Sequence, residues 1–89
     1  MSNVSLQVTY RKGKPFAAYI YLPRAPAQKS ARTEEVTPEL LIDYAADVSP
    51  LGIEIVSPGY VTEDEINRAF DILGIGRPTA AELAPLRAA

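Results

Sequence analysis

The chain contains neither cysteine nor histidine. Without cysteine there can be no disulfide and no thiolate metal site. Without histidine, the commonest general base and the commonest metal ligand are both missing. No apolar run approaches the roughly 18 residues needed to cross a bilayer. The first ten residues, MSNVSLQVTY, lack the basic segment and apolar stretch of a secretory signal. A cytoplasmic protein without a membrane partner is therefore the expectation. Ser49, Ser57 and Thr62 have no G-x-S-x-G context and no histidine to activate them. The two glycines of GIGRP (74–78) lack the strand-then-helix setting of a phosphate loop. These absences point away from an enzyme, and no cofactor is called for.

What remains suits a globular domain: 89 residues, of which 47% are hydrophobic and 22% charged. The charge is unevenly placed. Residues 1–33 hold six bases and no acid, residues 34–89 three bases and eleven acids, which together give the net charge of -2. Such asymmetry marks either a surface for a charged partner or two halves that neutralise each other once folded.

Alternation of apolar residues gives the strands. VSLQVTY (4–10) places Val4, Leu6, Val8 and Tyr10 on one side. After RKGK, in which Gly13 can take a positive φ, PFAAYIYL (15–22) places Phe16, Ala18, Ile20 and Leu22 on one side and Ala17, Tyr19 and Tyr21 on the other. PRAPAQKSAR (23–32) reads as a loop, and the TEEV that follows as extended at most. ELLIDY and PLGIEIV form a hairpin. In one register Asp43 faces Gly52 and Leu41 faces Glu54, with Leu40, Ile42, Leu51, Ile53 and Ile55 pointing at a core. TEDEINRAFDILG (62–74) carries a capping box, Thr62 with Glu65, a stop at Gly74, and an apolar stripe of Ile66, Ala69, Phe70 and Leu73. Thr79 and Glu82 make a second box, beyond which Pro85 limits any helix and Leu83 and Leu86 need a surface.

The expected fold is one α+β domain over residues 1–89. An antiparallel four-stranded β-meander fills the β-rich part (1–60), and a helical C-terminal extension (61–89) packs its amphipathic helix on one face.

Three groups of residues could carry function. Asp43 and Glu54 would lie diagonally on one face, with Asp47 in the turn between their strands. Paired carboxylates can do acid–base work or hold a hard cation, which makes a metal-binding protein or carboxylate enzyme the alternative reading. Against it stand the small number of ligands and the missing EF-hand spacing. Arg11, Lys12 and Lys14 at a hairpin tip, with Tyr19 and Tyr21, could meet phosphates and a base. The acidic chain and the absence of any recognition motif argue against nucleic acid. Tyr19, Tyr21, Leu41 and Val56 fall on the face away from the helix, and tyrosine suits an interface.

A first strand ending in tyrosine, then AAYIYL, then TEEVTPELLIDY leading into LGIEIV, resembles domain-of-unknown-function family 2283 over about residues 6–57. These are small, mostly bacterial proteins. The resemblance implies a compact domain of antiparallel strands and brings no established activity, cofactor or catalytic residue. Members are often encoded beside another small protein, some of them toxin-like, which implies a partner. The chain departs from the family pattern at Arg11, Lys12 and Lys14, where acids are usual, and at the turn Asp47-Val48-Ser49-Pro50, where glycine is usual. The leading expectation is a non-enzymatic interaction protein that self-associates as a homodimer or other homo-oligomer, binds a small, toxin-like protein partner, or does both.

Overall fold

The computed structural model describes residues 4–22 and 29–87. Most of the expected loop, residues 23–28, lies outside them. The fold is α+β, with an antiparallel sheet of five strands and a few short helices: β1 (Ser5–Arg11), β2 (Lys14–Tyr21), β3 (Arg32–Thr37), β4 (Leu40–Tyr44), β5 (Pro50–Ile55), α1 (Glu63–Leu73) and α2 (Ala80–Leu83). Turns of 3₁₀-helix precede α1 (Pro58–Tyr60) and follow α2 (Ala84–Arg87).

The strands lie in the order β1-β2-β5-β4-β3. This corrects the four-stranded meander in two respects. First, RTEEVT is a strand. It forms a charged edge in which no residue is fully buried, so it shows no apolar alternation to read. Second, β5 rather than β4 lies against β2. That pairing sets Ile20 beside Ile53 and Ala18 beside Ile55, with Ile42 and Leu40 on the next strand. The most apolar strands thus occupy the middle of the sheet and the charged one its rim. The β4–β5 register is the expected one through Leu41↔Glu54 and Asp43↔Gly52, then slips by a bulge so that Tyr44 meets Pro50.

Local chemistry accounts for the turns. Lys12 and Gly13 both have positive φ, 54° and 78°, the handedness that lets a two-residue hairpin follow the twist of its strands. In the β4–β5 turn the Ser49 hydroxyl and amide both donate to Asp47 Oδ1, at 2.6 and 3.0 Å. Those two bonds, the hydroxyl's first, hold the Asp47 carboxyl below its usual range. The third acid of the trio is therefore engaged in shaping a turn.

Both capping boxes form. Thr62 Oγ1 accepts from the Glu65 amide while Glu65 Oε1 accepts from the Thr62 amide, and Thr79 and Glu82 repeat the pattern. Gly74 ends α1 at φ 70°, and the Ile75 amide then returns to the Phe70 carbonyl. α1 lies over β4 and the last 3₁₀ turn over β2. One core results, in which Ile20, Leu40, Ile42, Ile53, Ile55, Ile66, Ala69 and Phe70 are fully enclosed and Leu83 and Leu86 nearly so. Leu83 and Leu86 thereby find the surface they need. Val4, Leu6 and Val8 reach the core only in part, and Phe16, expected in it, is half exposed. No helix among the described residues is long and apolar enough to cross a membrane.

Candidate functional site

Among the described residues the helices pack on one side of the sheet, so the site is sought on the other. Two rows of side chains cross that face. One runs Ser5, Tyr21, Gly52, Asp43, Thr33, the other Gln7, Tyr19, Glu54, Leu41, Glu35. The alternation of β2, β4 and β5 creates both rows, since residues two apart on a strand share a face.

The two rows are tied together by one tyrosine. Tyr19 stands on β2, yet its hydroxyl donates to Asp43 Oδ2 at 3.0 Å, two strands away on β4. The ring reaches there by lying over Gly52 of the intervening strand: a Cβ at Gly52 would come within 2.2 Å of Tyr19 Cε2. Thr33 of β3 donates to the other carboxylate oxygen at 2.7 Å. Asp43 thus accepts one hydroxyl from each side and is 8% exposed, the one buried charged residue among those described. Such charge-assisted bonds are stronger than neutral ones and compensate the burial of the acid. Tyr21 packs beside Tyr19, ring centroids 4.8 Å apart and tilted by 58°, and donates to Gln7 Oε1 at 2.8 Å.

The environment pushes the Tyr19 phenol well above its ordinary range, first by burial, then by the bond to Asp43 and that carboxylate's charge. Tyr44 is also raised, first by burial. A phenol whose pKa is raised on folding lends its stability in full below about pH 10 and loses it as pH climbs past that value. Urea unfolding measured at about pH 9 and about pH 11 should therefore show a steeper loss in the wild type than in Tyr19→Phe. Equal losses in the two proteins would mean that Tyr19 is not held neutral by this site.

The residues singled out from sequence are distributed as follows. Tyr19, Tyr21 and Leu41 share the helix-free face, with Tyr21 45% exposed and Leu41 half-buried. Val56 does not join them in the strand rows. It follows the end of β5 and lines a separate groove with Phe16 and Tyr60. Asp43 and Glu54 are near neighbours as expected, but both oxygens of Asp43 are taken by hydroxyls. Glu54 is exposed in the next row, and among the described residues no three acids are grouped so that they could hold a metal ion. Glu54 instead walls a shallow depression of about 250 Å³ with Gln7, Thr9, Ala17 and Tyr19. The basic tip has Phe16 for its aromatic neighbour, with the Arg11 guanidinium 4.5 Å from that ring's centre. Tyr21 stands at the far end of β2.

No family model, curated protein or solved structure matches this chain. The site is thus defined by its geometry. Sequence reasoning missed Thr33, because its strand was missed, and the role of Gly52. A glycine inside an otherwise apolar strand was the available signal, since it often marks the close approach of another group.

Proposed function

We propose that this protein is a non-enzymatic interaction module that associates with a second copy of itself through the helix-free face of its sheet. One observation carries the reading: among the described residues the helices cover one face only, and the other presents two tyrosines already held in position. Rings tied down before binding lose little freedom on contact, and tyrosine offers a large apolar body with a polar tip. The face ends at β1, whose residues Ser5–Tyr10 carry no charge, whereas the opposite edge, β3, carries Arg32, Glu34 and Glu35. Charge on an edge strand discourages pairing with another chain, and its absence on β1 leaves that edge open. The same surface would serve the small protein partner that the family resemblance implies.

Solution mass measured over a range of concentrations tests this. The wild type should approach the mass of a dimer as concentration rises. Tyr21→Ser, which removes an exposed ring and leaves the bond from Tyr19 to Asp43 in place, should raise the dissociation constant by about tenfold or more while leaving the circular dichroism unchanged. A wild type that remains monomeric throughout, or a variant that dimerises as well as the wild type, rejects the proposal.

A further inference from the structure

A second feature lies away from the tyrosine face, where β2 begins. Pro15, Phe16, Val56, Pro58 and Tyr60 line a groove of about 380 Å³. Three of its large side chains are exposed well beyond what folding needs: Phe16 by 50%, Val56 by 44% and Tyr60 by 81%. The walls are stiff. Two prolines fix their own backbone, Pro58 is buried, and the 3₁₀ turn is closed by the Tyr60 amide on the Ser57 carbonyl at 2.9 Å. A preset, aromatic-lined cleft of this kind accepts an extended peptide side chain or a proline without having to reorganise.

Charge identifies the occupant. The wall made by Pro15 and Phe16 continues directly into the hairpin tip, where Arg11, Lys12 and Lys14 are all exposed. Arg11 is held over the Phe16 ring at 4.5 Å, which keeps its guanidinium at the rim of the groove. None of the three pairs with a carboxylate among the described residues, whose ion pairs join Arg32 to Glu34 and Arg77 to Asp71. The lining itself carries no charged side chain. The groove is therefore apolar inside and basic at the rim where Arg11 stands.

We infer that this groove binds a short acidic peptide segment, seating an aliphatic or proline anchor between Phe16 and Tyr60 and turning its carboxylates toward Arg11, Lys12 and Lys14. The inference does not depend on self-association, because it uses other residues. A single nucleic-acid strand is the rival for a basic tip beside an aromatic ring. The groove's apolar lining, with Pro15 and Pro58 beside its two rings, favours the peptide.

The test uses a phage-displayed library of random dodecamer peptides selected on the whole protein. Enriched sequences should place Asp or Glu on one consistent side of an aliphatic or proline anchor. A labelled peptide from that set should bind at least tenfold more weakly to Phe16→Ser and to the double variant Lys12→Glu/Lys14→Glu. It should bind with unchanged affinity to Tyr21→Ser, and more weakly as salt is raised. The altered side chains are exposed, so each variant should keep the wild-type circular dichroism. The inference is overturned by no enrichment over background, by enriched peptides without an acidic bias, or by affinity that the Phe16 and lysine variants leave unmoved. It is also overturned if a single-stranded oligonucleotide binds this site more tightly than the selected peptide.

Discussion

Gly52→Ala should destabilise the protein by about 2–4 kcal/mol, although it adds a single methyl group. The added carbon would stand 2.2 Å from Tyr19 Cε2 and 2.4 Å from its Cζ and hydroxyl. The ring is the outer part of a side chain, so it can swing aside. Doing so breaks its bond to Asp43 and leaves a buried carboxylate with one donor where it had two. Overpacking costs about 1–3 kcal/mol and a lost bond to a charged group about 1.5–3. Urea unfolding of Gly52→Ala, Tyr19→Leu and the double variant gives the measurement. Because the methyl and the ring compete for one space, the double variant should be more stable than the sum of the single losses allows. Strict additivity would show that the ring does not lie over Gly52.

Phe70→Ala should cost about 3–5 kcal/mol, since it removes the largest fully enclosed side chain and opens a cavity between α1 and the sheet. For a domain of this size that is a large share of a total of roughly 5–15 kcal/mol. The thermal midpoint should fall by on the order of 15–25 °C. Ile72, two residues on, is 54% exposed. Ile72→Ala should therefore change stability by less than about 0.5 kcal/mol. Calorimetry of the two variants compares the faces of α1, and losses of similar size would mean that the helix is not docked by the stripe of Ile66, Ala69 and Phe70.

The contrast between these two predictions shows what the sequence made legible. The docking of Phe70 follows from spacing: Ile66, Ala69 and Phe70 repeat at the helical interval, Thr62 and Glu65 mark the start and Gly74 the end. The opposition of Asp43 with Gly52 and Leu41 with Glu54 follows in the same way from the strand interval. Periodicity reports which way a side chain points and not which strand lies beside it, so β5 beside β2 was not legible. β3 was not legible because an edge strand with little apolar surface leaves no alternation. Asp43 belongs to the solvent face by its parity, and parity is right about the face. What encloses the carboxylate is a ring from two strands away, and no local pattern encodes a contact across 24 positions. Val56 has the parity of Glu54, but the chain leaves the strand at Ile55 and carries it to another site.

The strand order also bears on how the molecule assembles. β1 and β2 join through two residues, and β4 and β5 through a turn held by Asp47, so each pair can meet early and at little entropic expense. The join between the two pairs is of another kind. It unites Ala18 with Ile55 and Ile20 with Ile53, partners more than thirty positions apart in the chain. Such a distant encounter is slow to find and should set the pace of folding. Stopped-flow refolding should accordingly be hampered more by shortening Ile20 than by shortening Leu83, and both hairpins should gain protection before the seam between them closes.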